Sequence, residues 1–386
     1  MSSTVAVTSR GAARWRAGHP WIYRSDVLPS RAPAGIVRVT DRPGRFLGQA
    51  LFSPASEIRL RFLTRGDDTI DTAWWVRQIG LALARRATIA SRSSAYRVVH
   101  GEGDGLPALI VDRYGDYVVA QLLSAGLEAR RADVLAAIEQ VLTPKGVLLR
   151  NDASVRRHER LPLVIEDPGK RVPDEIEVAE DGVRYIVFPR AGQKTGAFLD
   201  QRDNRLKVQS LARGRCLDVF TYQGLFALHM ARTAAEVLAV DSSAAALDVA
   251  RRNAALNGTA NVEWREANAF DVLRALERDG ERFDTIVLDP PAFAKTRSAV
   301  PRAVTGYKEI NLRAMWLLAP GGVLFTASCS FHVGRELFFR MLAAAAADSG
   351  RRMVVRETVG QSLDHPELVT VPETGYLKGA FLVAQD

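Results

Sequence analysis

Cysteine is almost absent from this 386-residue chain, which holds only Cys216 and Cys329. Two thiols make neither a disulfide framework nor a four-ligand zinc site. The six histidines are scattered without metal-ligand spacing, so no metal is expected. No window offers the roughly 18 uninterrupted apolar residues of a membrane helix. The opening MSSTVAVTSR lacks the basic start and apolar core of a secretory signal, and a cytoplasmic protein is expected. Internal repeats and low-complexity tracts are also missing. With 47% apolar and 25% charged residues, the composition excludes a disordered, collagen-like or fibrous chain. At roughly 100–200 residues per domain, the length allows two to four units and a sizeable core.

Lysine is missing altogether from residues 1–70. That stretch carries eleven arginines, Arg14, Arg16 and Arg24 among them, against five acids, Asp26, Asp41, Glu57, Asp67 and Asp68. Its net +6 is most of the chain's +8. Such a concentration of one sign fits a module that faces a polyanion. The bland alternative is a solvated arginine-rich surface.

Residues 1–70 read as a small all-β unit of short strands (TVAVTS, GIVRVTD, RFLGQALF, EIRLRFL) broken by Gly and Pro. From Thr72 to about Ala90 the pattern turns helical, with Asp71 or Thr72 as N-cap. The rest of 71–188 mixes strands (LPALIVDRY, YVVAQLL, GVLLRN) with the helix ADVLAAIEQVL, an α+β pattern that ends in a hairpin turn at Asp181-Gly182. From Arg215 onward strand and helix alternate, the signature of right-handed βαβ units and a doubly wound parallel sheet. The segments are therefore 1–70, 71–188 and 189–386. In such sheets ligands bind beyond the carboxyl ends of the strands. Those ends hold Asp218-Val219-Phe220, Asp241, Asn268, Asp289-Pro290-Pro291 and Ser328-Cys329-Ser330.

Glycine is scarce where a dinucleotide fold would need it. The first strand–helix turn, D-V-F-T-Y-Q-G, has the single Gly224 instead of G-x-G-x-x-G, so it is not built for a pyrophosphate. It suits an adenosine-containing ligand without phosphate. Asp241 is placed to accept from ribose hydroxyls, Asn268 to pair with adenine and Phe270 to pack on the ring. S-adenosylmethionine fits that description. The alternative makes Asp218 and Asp241 ordinary helix-preceding caps.

Two consecutive prolines stop the fourth strand at Asp289-Pro290-Pro291-Ala292-Phe293, letting the carboxylate meet a planar base and Phe293 offer a stacking face. Otherwise the segment is a rigid turn with a core phenylalanine. Cys329 follows the strand GVLFTAS. If that strand adjoins the one ending in Asp289, a thiol and a carboxyl share the ligand edge, and nucleophilic catalysis on a pyrimidine follows. Thiolate addition at carbon 6 of cytosine makes carbon 5 nucleophilic, with Asp289 holding or protonating ring nitrogen 3. The thiol, ordinarily near pKa ~8.5, needs a positive surrounding for this; the competing reading is an inert core thiol. Cys216 starts its strand at the opposite end and reads as structural. The loop bearing Lys295, Arg297 and Arg302 has no acid between Ala292 and Lys308, so it is expected to face phosphate or to be an ordinary exposed loop.

Stretches spanning nearly the whole chain resemble one family. They are Gly18-His19-Pro20-Trp21-Ile22, Gly101-Glu102-Gly103-Asp104-Gly105-Leu106-Pro107, Ile110-Val111-Asp112-Arg113-Tyr114, Gly192-Gln193-Lys194-Thr195-Gly196 and Phe198-Leu199-Asp200-Gln201-Arg202. They continue with Asp289-Pro290-Pro291-Ala292-Phe293, Tyr307-Lys308-Glu309-Ile310-Asn311, Ser328-Cys329-Ser330, Asp364-His365-Pro366 and Tyr376-Leu377-Lys378-Gly379. The family is the bacterial large-subunit ribosomal RNA methyltransferases with an N-terminal PUA domain, which form 5-methylcytosine. The resemblance implies a class I methyltransferase sheet with a seventh, antiparallel strand near 376–383. It also implies a PUA domain at 1–70 that presents His19 and Trp21 to RNA, a central domain helping form the RNA cleft, and Cys329 as nucleophile. Lys194, Thr195, Phe198, Gln201 and Arg202 would belong to the segment leading into the cofactor site; Phe220 and Pro290, at strand ends, are further candidates for that site, and a homodimer is expected. Ala292 stands where two-cysteine enzymes carry a second thiol, leaving the base for the carbon 5 proton open between water and Asp289. Two other functions compete with this one: a guanine-N7 or exocyclic-amine RNA methyltransferase, and a non-catalytic RNA-binding factor of ribosome assembly.

Overall fold

In a computed structural model, which describes residues 3–385, the strand-rich N-terminal segment folds as a five-stranded sheet. Met1, Ser2 and Asp386, and with them the outer limits of the 1–70 and 189–386 segments, lie outside the described residues. The sheet runs in the order Thr4–Ala6, Gly35–Thr40, Phe46–Phe52, Ile58–Thr64, Trp21–Tyr23. One expectation is corrected here: the segment is not purely β, because Ser9–Arg16 is a helix. The Thr8 hydroxyl caps it by accepting from the Gly11 amide at 3.1 Å. Trp15 then seats it, stacked on Phe62 at 3.9 Å and donating from Nε1 to the Leu47 carbonyl at 2.8 Å. Strand-like flanks hid eight residues whose helix is fixed by a cap and by the tertiary contacts of Trp15.

The chain divides into two compact units. One takes the chain up to Glu180 with Val187–Leu199 and Leu363–Gly375; the other takes Asp181–Ile186, Asp200–Ser362 and the chain from Tyr376. Besides the first sheet, the first unit holds a second of five strands, in the order Val164–Glu166, Gly146–Asn151, Tyr117–Leu122, Leu109–Tyr114, Ala95–His100. Asp71 caps the helix Thr72–Ala84 by accepting from the Trp74 amide at 2.9 Å. The buried face of that helix, Trp74, Trp75 and Ile79, packs in one core with Val98, Val111 and Leu149. The Gly-Glu-Gly-Asp-Gly stretch is architectural: buried Asp104 receives Arg86 through both oxygens, at 2.5 and 2.6 Å, and the His100 amide at 2.7 Å. A Cβ at Gly103 would lie 2.4 Å from the Pro366 carbonyl oxygen, so no larger residue fits there.

The second unit is built on seven strands: β1 (Arg215–Val219), β2 (Glu236–Asp241), β3 (Val262–Glu266), β4 (Phe283–Leu288), β5 (Leu318–Ser328), β6 (Met353–Val359) and β7 (Lys378–Ala384). Their order is β3-β2-β1-β4-β5-β7-β6. The first five are parallel neighbours, and β7 runs antiparallel to β5 and β6. The helices α1 (Arg202–Leu211), α2 (Leu225–Ala231), α3 (Ala244–Leu256), α4 (Ala269–Arg278), α5 (Val300–Leu317) and α6 (Arg335–Ser349) connect or flank them. This is the class I methyltransferase order, with the antiparallel seventh strand inserted beside β5. Central strands buried on both faces read as continuous apolar runs, such as VLAV and TIVL, which explains their legibility. Two apolar clusters, one around Ile286 and Ile310 and one around Phe325 and Phe381, hold the layers together. Among the described residues no helix is long and apolar enough to cross a membrane.

Candidate functional site

The carboxyl ends of β1 and β2 carry a strained turn. Phe220 and Tyr222 adopt left-handed backbone (φ 70° and 52°), followed by Gly224 at 83°. Non-glycine residues in that region cost about 1–3 kcal/mol each and persist where the surroundings over-determine them. Here the Phe220 and Thr221 amides both donate to the Val240 carbonyl at 3.0 Å, and the Tyr222 amide donates to Asp241 Oδ2 at 2.8 Å. Gly224 has a second reason: a Cβ would lie 2.6 Å from the Trp264 ring.

Asp218 is fully buried under this turn. Its Oδ2 accepts from the Thr221 hydroxyl at 2.5 Å, while Oδ1 has no hydrogen-bond partner. Burial pushes its carboxyl up to about 7; the Thr221 hydroxyl and the Ala227 amide oppose this, and the nearby Asp289 and Asp241 carboxylates add to it. A buried carboxylate oxygen of this kind can seat a cationic group, and S-adenosylmethionine carries one. The residues present fit that cofactor. Asp241 does serve as the turn's cap, since its other oxygen accepts the Ser243 amide at 2.9 Å, but each oxygen keeps a further lone pair for a hydroxyl donor. Asn268 likewise caps α4 through Oδ1, accepting from the Phe270 amide at 2.9 Å, and leaves its amide donors exposed.

Three of the expected residues are brought together as one aromatic cluster. The Phe293 ring lies 6.3 Å from Phe220, 6.2 Å from Phe270 and 4.6 Å from Tyr307. Phe293 is half-buried, so part of its face is taken by these neighbours.

β4 and β5 are adjacent, with Leu288 opposite Thr326, so Asp289 and Cys329 follow the ends of neighbouring strands. Their two turns are also bonded to each other. The Ser330 hydroxyl accepts from the Ala294 amide at 3.2 Å and meets the Tyr307 hydroxyl at 2.9 Å. Cys329 is half-buried along the apolar cluster around Phe325 and Leu377, and neither cysteine is in a disulfide. Opposite Ser328, on β7, stands Lys378. Its buried amine donates to the Ser330 carbonyl at 2.7 Å and the Tyr376 carbonyl at 2.9 Å. Burial pushes Lys378 down to about 8, opposed by the Cys329 sulfur. Sequence reasoning passed over Lys378, Tyr307 and Ser330 as site residues; a lysine opening the otherwise apolar strand KGAFLVA was the available signal. Cys216, by contrast, is buried at the opposite edge, its thiol pushed up to about 11 by burial.

The Asp200-Gln201-Arg202 segment reaches both the Asp289 turn and the Tyr376 segment before Lys378. Gln201 donates to Asp289 Oδ1 at 2.8 Å, and Asp200 accepts the Tyr376 hydroxyl at 2.6 Å, two residues before Lys378. Arg202 is fully buried beside Asp203 at 3.3 Å. Pro290 is buried, which fixes the exit of β4.

Lys194, Thr195 and Phe198 belong to the other unit. The Thr195 hydroxyl is committed there, donating to Asp112 at 2.6 Å and meeting Tyr114 at 2.9 Å, so it anchors the loop. Lys194 is exposed in left-handed backbone (φ 54°), its amine 4.9 Å from the Phe198 ring. In the arginine-rich sheet, Trp21 donates to Glu102 at 2.8 Å and His19 lies 3.6 Å from Glu373, so both rings are held in place. Arg14 stacks on Tyr23 at 4.7 Å, and Arg16 pairs with Asp41 at 3.1 Å. Arg24 is exposed and, among the described residues, has no carboxylate partner; the same holds for Lys295 and Arg297 in the second unit. No group of three or more His, Cys, Asp or Glu side chains among the described residues is arranged to hold a metal.

Comparison with known proteins agrees with this geometry. Residues 5–65 match the model of a PUA-like domain, and residues 97–383 match that of an S-adenosylmethionine-dependent methyltransferase. Ribosomal RNA large subunit methyltransferase I of Erwinia tasmaniensis is 39% identical over 94% of each chain. The protein of that name from Tolumonas auensis is 39% identical over 98% of each. Among solved structures, a candidate methyltransferase in complex with SAH superposes with a TM-score of 0.84 at 20% identity, covering 99% of this chain and 100% of that one.

Proposed function

Because the chain belongs to the S-adenosylmethionine-dependent methyltransferases, in the ribosomal RNA large subunit methyltransferase I family, we propose that it methylates carbon 5 of a cytosine in large-subunit ribosomal RNA, with Cys329 as nucleophile. One observation carries the cytosine reading: the Ser328-Cys329-Ser330 turn is hydrogen-bonded to the turn that follows Asp289, which sets a thiol and a carboxyl at one ligand edge. A methylase acting on a ring nitrogen or exocyclic amine needs no thiol there, because nitrogen attacks directly.

When bound, S-adenosylmethionine would supply an electrophilic methyl group on a sulfonium, the sulfur leaving as a neutral thioether. Asp218 and Asp241 would hold its polar groups, Asn268 and Phe270 the base, and Phe220 and Gly224 would shape the turn beneath it. The Cys329 thiolate forms a bond to carbon 6 of cytosine, and the carbon 5–carbon 6 electron pair moves onto carbon 5. Asp289 holds ring nitrogen 3, or lends it a proton that offsets the charge of the added thiolate and returns to Asp289 when the thiolate leaves. After carbon 5 has taken the methyl group, its proton goes to water or to Asp289. The released pair restores the double bond and expels the thiolate. Phe293, Lys295 and Arg297 face the RNA here, and Arg14, Arg16, His19, Trp21 and Arg24 do so on the PUA-like segment, within the functional boundaries 1–70, 71–188 and 189–386. On the family resemblance we further propose a cytoplasmic homodimer, which light scattering tests.

The test is nucleoside mass spectrometry of unmodified large-subunit rRNA after incubation with the full chain and labelled cofactor. 5-Methylcytidine is expected; methylguanosine overturns the reading. A transcript with 5-fluorocytidine, whose carbon 5 cannot release a proton, is expected to trap a denaturation-stable complex that Cys329→Ala does not form.

A further inference from the structure

A buried lysine ordinarily sits against a carboxylate, because an unpaired ammonium in a low-dielectric surrounding is costly. Lys378 is 7% exposed, and among the described residues no carboxylate pairs with it. Two main-chain carbonyls take its hydrogen bonds, and one of them belongs to Ser330, the residue after Cys329. The strand register places Lys378 directly opposite Ser328, the residue before Cys329. The amine thus bonds the residue after the cysteine while its backbone faces the residue before it, and an ionised Cys329 sulfur favours the charged amine against burial.

We propose that Lys378 is the counter-ion of Cys329, a positioning residue whose ammonium, fixed on the Ser330 and Tyr376 carbonyls, holds the sulfur as a thiolate before any RNA is bound. The S–H proton passes to solvent, and Lys378 keeps its own three. Both halves of the pair gain: a buried ammonium acquires a partner, and a thiol packed against Phe325 and Leu377 ionises where apolar packing alone would oppose it. The purpose of the pair rests on the reading of Cys329 as nucleophile, but its existence does not.

Other titratable groups surround the pair. Tyr307 of α5 meets Ser330, Asp289 ends β4, Asp200 accepts the Tyr376 hydroxyl, and His332 follows on the same turn. Asp289 follows the neighbouring strand, and an ionised carboxyl there would oppose thiolate formation, an effect that a cation at Lys378 offsets.

The experiment is the pH dependence of iodoacetamide alkylation of the full chain without RNA or cofactor, with labelled peptides identified by mass spectrometry. Buried Cys216 provides the internal slow-reacting control. In the natural chain the Cys329 midpoint is expected about one unit or more below the ordinary ~8.5. Lys378→Met is expected to raise it by at least about one unit, slowing alkylation near pH 7 roughly tenfold, while Lys378→Arg keeps it low. Lys378→Gln is a second neutral variant that retains hydrogen bonds to the two carbonyls, should the methionine variant not fold. A natural-chain midpoint at or above 8.5, or one that neither neutral variant moves, overturns the proposal. If the midpoint moves as expected while the 5-fluorocytidine trap fails, the ion pair stands and the nucleophile reading falls.

Discussion

Gln201 donates its side-chain amide to Asp289 at 2.8 Å and accepts from Asn204 at 2.6 Å, so the carboxylate at the end of β4 is aimed by a residue 88 positions earlier. Asn204 is itself tied to the Gly360 carbonyl at 3.0 Å. The chain of bonds runs from the loop after β6, through the start of α1, to the proposed acid.

Gln201→Leu keeps the bulk and removes the donor. A hydrogen bond to a charged group is worth about 1.5–3 kcal/mol, so methyl transfer is expected to slow roughly ten- to hundredfold. Tritium transfer from labelled cofactor to rRNA at saturating cofactor measures it. A rate within twofold of the natural chain would detach Gln201 from the chemistry.

The two cysteines are expected to fail in opposite ways. Cys216 is buried, with its thiol on the Arg213 carbonyl at 3.4 Å, so Cys216→Ala is expected to cost about 1–2 kcal/mol of stability and leave methyl transfer intact. Half-buried Cys329→Ala is expected to change stability by less than about 1 kcal/mol and abolish methyl transfer, with cofactor binding retained. Denaturant melts, calorimetric cofactor titration and label transfer separate the two outcomes.

The parallel strands of the second unit were legible because double burial writes them as apolar runs, and their ends then pointed to Asp218, Asp241, Asp289 and Cys329 without coordinates. The polar edge strand β6, MVVRETV, went unread, since its half-exposed residues show no run and its pairing partner lies two dozen residues away. Lys378 and Gln201 were illegible as site residues for a related reason. A lysine opening a strand and a glutamine beside a helix start have ordinary local explanations, and only register and long-range bonds give them a partner. Thr195 was legible only through the motif resemblance, since the bonds of its hydroxyl to Asp112 and Tyr114 are long-range and leave no local mark in the sequence.

Arginines of one segment are expected to divide by burial. Arg61 is buried and pairs with buried Glu159 at 3.0 Å, the arginine helping to hold that carboxyl below the usual range against the effect of burial. Arg61→Ala leaves an uncompensated buried charge and is expected to cost about 3–5 kcal/mol. Arg24, Arg31 and Arg42 are exposed without carboxylate partners among the described residues, so alanine at each is expected to leave stability within about 0.5 kcal/mol. If they face phosphate, each loss reduces the slope of log affinity against log salt by about 1. RNA binding across a salt series and denaturant melts give both readings; unchanged slopes for all three would move the RNA surface elsewhere.

Asp218 makes cofactor affinity pH-dependent in a direction that can be worked out. Its buried carboxyl titrates at about 7, well above the ordinary 3.8. Between those values the folded chain holds a proton that the unfolded chain has lost, so stability without cofactor falls as pH rises from about 4 to about 7 and is level above. A cation seated on the bare Oδ1 favours the ionised form. Affinity for S-adenosylmethionine is therefore expected to rise with pH, approaching tenfold per unit below 7 and levelling above it, with a proton released on binding near pH 6. Calorimetry in two buffers of different ionisation enthalpy counts that proton. Asp218→Asn is expected to weaken binding and flatten the profile, because the amide neither ionises nor attracts the cation. A natural chain with flat affinity from pH 5.5 to 8 would remove Asp218 from the cofactor's cationic end and leave its Thr221 bond as a purely architectural feature.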